Sequence, residues 1–273
     1  MEENAELPPM TIPPSKTSST KKYFRQLCCV NIDLIRKIKL PVPPKLSKYE
    51  AVLIEFRKLD HIEFIIRNSI YKLGTRFMHT IVCSNDNYEQ INDICKSIDR
   101  NIRIINIDIT KATRNDYNNL LHTKEFWNKL HGEKILIHQE DSLIFHKNIE
   151  PFLNFDYIGA PWPHHKNSLL PQQGNGGFSY RSKKQILKCI DIKNEIINSE
   201  ACSQFKQPKD LDQLPEDVMF SIGCILLKCN LPTIEEANKF SSELSIDRTS
   251  FAGHRFWDKD RRWVNRMKNI FNC

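Results

Sequence analysis

The chain has 273 residues, 40% hydrophobic and 27% charged, a balance that suits a globular protein and excludes a low-complexity or fibrous one. Lys and Arg number 40 against 33 Asp and Glu, so the formal charge is +7, spread along the chain. That sign suits anionic small molecules such as nucleotides; a basic nucleic-acid-binding domain is a second alternative, and the partner reading is no nucleic acid. Nine cysteines, an odd number with no CxxC pair, read as reduced thiols in a cytoplasmic setting rather than a disulfide or metal framework.

Residues 1–45 read as an N-terminal tail. Its first twenty or so are Pro, Ser, Thr, Lys and Glu, too polar to order themselves. The opening MEENAELPPM is acidic and proline-bearing, unlike a signal peptide. Residues 21–40, KKYFRQLCCVNIDLIRKIKL, have the spacing of a basic amphipathic helix, either packed on the domain or in weak contact with a membrane surface. PVPPK at 41–45 is stiff punctuation before the domain at 46–273.

Strand-length apolar runs then alternate with helical periodicity. AVLIEF (51–56), HTIVCS (79–84), IRIINI (102–107) and KILIHQ (134–139) predict strands. Residues 61–74, 87–98 and 114–130 predict the helices between them, the first with Gly74 as a C-cap. Past residue 140 the rhythm changes to short strands in DSLIFH, DYIGAPW and GGFSYR, with helices at 182–192 and 216–228. The pattern is α/β: a mixed, mainly parallel sheet flanked by helices, Rossmann-like, in a single domain. Such sheets bind ligands at the carboxyl ends of their strands.

Five stretches carry candidate chemistry. In HQEDSLIF a strand runs into Glu140, Asp141 and Ser142, either a surface turn or a carboxylate placed to hold a hard cation. In DYIGAPW, Trp162 is either a core residue or a sugar-stacking one. GNGGFSYR holds Gly174, Gly176 and Gly177 around Asn175, three of the eight glycines in the chain. It reads as a loop or as backbone that must approach a ligand closely. It is neither a dinucleotide fingerprint nor a P-loop. In LPEDVMFSIG, Glu216 and Asp217 open a helix, as caps or as a rigidly held base. In FAGHRFW, His254 stands beside Arg255, whose planar fork suits phosphate, and before Trp257.

Taken in order, AVLIEFR, QEDS, FDYIGAPW, GNGGFSYR, PEDVMF, EEANKFSSE (235–243) and AGHRFW resemble the GT-A class of glycosyltransferases. More narrowly they resemble uncharacterised GT-A-like domains of large DNA viruses and some microbes. The resemblance covers roughly residues 48–258 and implies a GT-A-like fold and a metal-dependent, inverting glycosyltransferase. Its donor would be a nucleoside diphosphate sugar, a UDP-sugar first, and its acceptor a glycan, protein or lipid hydroxyl. It further implies Mn2+ or Mg2+ on Asp141 and His254, and Asp217 with Glu216 as the acid pair that supplies the base. Donor and acceptor contacts would come from Arg57, Trp162, Gly174, Asn175, Gly176, Gly177, Arg255 and Trp257. Two positions depart from the pattern: Gln139 stands where the metal motif has its first acid, and Arg255-Phe256 where Lys-Pro is commoner. A non-catalytic nucleotide-sugar or carbohydrate binder on the same fold is the first alternative.

Overall fold

A computed structural model describes residues 10–11, 20–162, 171–204, 214–260, 262–268 and 270–271. The predicted alternation is the architecture seen. Strands β1 (Tyr49–Ile54), β2 (Phe77–Ser84), β3 (Arg103–Ile107) and β4 (Lys134–His138) are parallel neighbours. Strand β5 (Ser142–Ile144) leaves that sheet, and β6 (Tyr157–Gly159) and β7 (Phe178–Ser182) rejoin it antiparallel, giving the order β3-β2-β1-β4-β7-β6. Two further short strands, β8 (Ser241–Ser242) and β9 (Ala252–His254), pair with β5 in a small sheet ordered β5-β9-β8. Strand β5 lies in the predicted DSLIFH run, whereas β8 and β9 are missed, because strands of two or three residues carry little measurable alternation.

The helices α1 (Thr20–Val30), α2 (Ile32–Arg36), α3 (Ile62–Leu73), α4 (Tyr88–Ile98), α5 (Arg114–Leu121) and α6 (Lys124–Lys129) belong to the first half. The second half contributes α7 (Lys183–Asp191), α8 (Lys193–Ile197), α9 (Glu200–Gln204), α10 (Glu216–Leu226), α11 (Ile234–Phe240) and α12 (Trp263–Lys268). The single helix predicted over 114–130 is two. Thr123 interrupts it, its hydroxyl accepting from the Phe126 N–H to cap a second start. Gly74 closes α3 at φ +65°, as its predicted C-cap role requires.

Alternate strand residues face opposite layers. Val52, Ile54, Val82, Ile135 and Ile137 pack with α5, α6, α7 and α10, whereas Leu53, Ile81 and Cys83 pack with α1, α3 and α4. This is the period-2 pattern of a sheet buried on both faces.

Helix α1 is part of that core. Tyr23, Phe24, Leu27 and Cys28 are buried, and the Phe24 ring stacks on Trp257 with centroids 4.4 Å apart. The apolar stripe that a membrane contact would use is therefore spent inside the protein. Among the described residues, no helix is long and apolar enough to cross a membrane. Phe24 is fully buried among Trp257, Phe256 and Trp263, so Phe24→Ala should cost about 3–5 kcal/mol in a urea titration. A loose tail would show no change in midpoint.

Candidate functional site

Strands β1 and β4 lie side by side, and the chain segments leaving their carboxyl ends form one wall of a polar cavity of about 530 Å³. Glu55 and Arg57 follow β1, and Gln139 and Asp141 follow β4. The remaining walls come from the residues around the start of α5, the 175–177 loop, the start of α10, Glu243 and residues 254–258. Lys21 reaches in from α1. Asn175, Gly176, Gly177, Glu216, Asp217, His254, Arg255 and Trp257 all line it, so the fold gathers residues from both ends of the described chain, Lys21 to Asp258.

Glu140 and Asp141 share Lys21 and otherwise face different partners. Glu140 is 1% exposed and accepts Arg25 (2.6 and 3.2 Å), Arg57 (3.2 Å) and the His61 ring nitrogen (2.9 Å). Burial opposes its charge, but His61 and Arg25 outweigh that and lower its pKa to about 2. Asp141 has the Lys21 ammonium 2.7 Å from Oδ2 and His254 Nε2 3.2 Å from Oδ1. Burial works against this charge too, yet His254 and Lys21 hold the carboxyl well below the usual range. On its far side, His254 Nδ1 meets Glu243 Oε1 at 3.1 Å. Burial would lower the pKa of His254, but Asp141 and Glu243 prevail and raise it to about 10.

Asp141 and His254, expected together as metal ligands, do meet. Their surroundings do not make a protein-held divalent site as they stand. The Lys21 ammonium lies against one Asp141 oxygen, and Gln139 supplies no acid. Among the described residues, no group of three or more His, Cys, Asp or Glu side chains is placed to hold an ion.

The second acid pair divides its labour. Both Glu216 oxygens are taken by Arg181, at 2.6 and 3.0 Å, with both side chains almost wholly buried. The guanidinium also donates to Ser179 at 2.8 Å and lies near the Tyr157 and Phe220 rings. Glu216 is thus committed to a buried ion pair, which corrects the expectation that it shares the proton chemistry. Among the described residues no ion pair reaches Asp217, and Arg181 acts on its charge only through space. Its carboxylate accepts the Gly176 N–H at 3.1 Å and the Val218 N–H at 2.9 Å. Burial first, and then the neighbouring Glu216 charge, push its pKa up to about 6.

Two expected contacts lie elsewhere. Trp162 is absent from the cavity wall and packs against the cluster of α5–α7 and α10. Gly174 is also set back; at φ +124° its carbonyl accepts the Tyr157 hydroxyl at 2.6 Å, and a Cβ there would strike Ser221 and Tyr157. Trp257 lines the cavity but is 4% exposed and serves chiefly to seat α1. Arg255 adopts a left-handed backbone at φ +46°, which turns its N–H onto the Asp141 carbonyl at 3.0 Å and leaves its side chain half exposed.

Sequence reasoning gives no role to Lys21, Arg25, His61, Arg181 or Glu243. One signal was present for Arg181, a cation in a strand otherwise reading as buried, which demands a carboxylate partner. Gly176 and Gly177 are glycines for steric reasons that the structure makes specific. A Cβ at Gly177 would fall on the His254 ring, and one at Gly176 on the Glu216 carboxylate. Gly177→Ala must therefore displace a buried, doubly held imidazole, and we expect about 1–3 kcal/mol of destabilisation. A shifted His254 ring resonance should accompany it; an unmoved resonance would refute the steric account.

Comparison with known proteins places the chain. No curated protein matches it. It is similar to the mannosyltransferase PcManGT from Pyrobaculum calidifontis, solved in complex with GDP-Man and Mn2+ (TM-score 0.43, 12% identity, 78% of this chain and 63% of that one). It is also similar to the apo-form glycosyltransferase GlyE of Streptococcus pneumoniae TIGR4 (TM-score 0.46, 11% identity, 83% and 62%). The chain thus spans about three fifths of the length of these structures. A family model described as "Protein of unknown function (DUF5672)" matches residues 100–254, more than half of the chain, from β3 to the last residue of β9, and the chain belongs to that family.

Proposed function

We propose that the chain is an inverting glycosyltransferase that moves a sugar from a nucleoside diphosphate sugar to an acceptor hydroxyl. The observation that carries this is Asp217. Among the described residues it is a carboxylate with no ion-pair partner, gripped by two backbone N–H groups at the start of a helix, on a polar cavity at the strand ends. A base with pKa about 6 is ionised at neutral pH and still basic enough to accept a proton.

In this reading the nucleotide lies over the carboxyl ends of β1 and β4, with Arg57, Arg114 and Arg255 on the cavity wall for its diphosphate. Asn175, Gly176 and Gly177 form the wall where sugar and acceptor meet. Asp217 takes the acceptor proton as the hydroxyl oxygen bonds to the anomeric carbon. The bond from that carbon to the diphosphate breaks, and the nucleoside diphosphate leaves with the electron pair. Attack opposite the leaving group inverts the centre. Glu216 and Arg181 keep the start of α10 in place from behind. Gly174 and Trp162, set back from the cavity, shape the loop rather than touch the sugar. Because Asp141 and His254 stand with Lys21 on the acid, the step is written without Mn2+ or Mg2+. A UDP-sugar is the first donor to test; glycans, proteins and lipids remain the acceptor classes.

A panel of nucleotide sugars, each with EDTA and with Mn2+, tests the reading. One donor should turn over. Asp217→Asn should cut kcat about 10²–10⁴-fold without loss of folded protein by circular dichroism. The wild-type rate should fall below about pH 6, as Asp217 takes up the proton that blocks its role as base, and level off above it. A donor that binds but never turns over would favour the non-catalytic binder.

A further inference from the structure

The carboxylates at the end of β4 hold a cation that also faces the cavity. Glu140 meets Arg25 and His61, and Arg57, whose guanidinium is bidentate on Glu55, also reaches it. His254 stands on Asp141. Lys21 adds a further positive charge, 2.9 Å from Glu140 and 2.7 Å from Asp141, although its side chain is 38% exposed and lines the cavity. An ammonium carries three N–H donors, and the two acids account for two. The backbone behind it is firm, because Tyr23 and Phe24 anchor the first turns of α1 in the core. A flexible lysine held in this way loses little further freedom when it meets an anion.

We propose that Lys21 is the resident cation of this site: the Glu140–Asp141 pair holds its ammonium for the diphosphate of the nucleotide, so nucleoside diphosphate binding needs no metal. The proposal rests on the transferase reading for its ligand class, and it gives α1 a part in the site. It also gives Gln139 a reason. With a lysine supplying the positive charge, a second metal-binding acid at that position has no ion to serve.

The test is calorimetric titration of the full chain with UDP and with GDP, in EDTA and in Mn2+. The wild type should bind at least one of them in EDTA, and Lys21→Met should bind it about tenfold more weakly or worse, the scale of one lost charge-assisted hydrogen bond. Unchanged affinity in Lys21→Met overturns the proposal. Wild-type binding that appears only with Mn2+ also overturns it, while leaving the transferase reading intact. Binding of neither nucleotide under either condition overturns both. A second measurement avoids the variant altogether. In the wild-type chain the bound nucleotide should shield Lys21 from acylation by an amine-reactive ester, read by mass spectrometry, and equal labelling with and without nucleotide counts against it.

Discussion

The arrangement at the end of β4 hangs on a buried carboxylate. Glu140 has almost no contact with solvent, so its charge must be met by protein groups or it would not be tolerated there. The partners come from three separate places: Arg25 and Lys21 from α1, Arg57 from the segment after β1, and His61 from just before α3. One charge thereby fixes the position of the N-terminal helix relative to the sheet. The aromatic packing of Phe24 on Trp257 does the same from the apolar side. Removing either partner set would leave the other with unmet demands, which is why α1 behaves as part of the domain.

A second buried charge organises the opposite side of the cavity. Arg181, next to last in β7, reaches Glu216 at the first residue of α10. Because the pair is bidentate and enclosed by rings, the start of α10 cannot rotate without separating two desolvated charges. Asp217, one residue on, inherits that rigidity. Among the described residues its direct partners are two backbone N–H groups, and no guanidinium is bonded to it. Adjacent acids thus acquire different surroundings through their partners, one locked in an ion pair and one held by backbone N–H groups.

The glycines of the 174–177 loop show how little of this could be argued from composition. Three glycines in four positions announce a steric demand but not its source. Gly174 answers to Tyr157 and Ser221, Gly176 to Glu216 and Gly177 to His254. Only the last two border the cavity. The loop is therefore glycine-rich partly for the fold and partly for the site, a division invisible in the string GNGG.

The strands and helices of the first half were legible because each is long enough for its period to show, and because Gly74 and the apolar runs mark their limits. The place of the cavity was legible too, since parallel strands put their carboxyl ends together, Arg57 and Asp141 follow two of them, and Asp217 lies at the start of a helix. Strands β8 and β9 and the partners of each charge were not. Sequence spacing carries no information on which acid meets which base when they lie 115 residues apart, as Arg25 and Glu140 do. The amino-acid order by itself determined an α/β chain with acids and glycines at strand ends. Tertiary packing alone decided that Glu216 is neutralised, that Asp217 is not, and that the cation beside Asp141 is Lys21, because the fate of a buried charge is set by what the fold brings within about 3 Å of it.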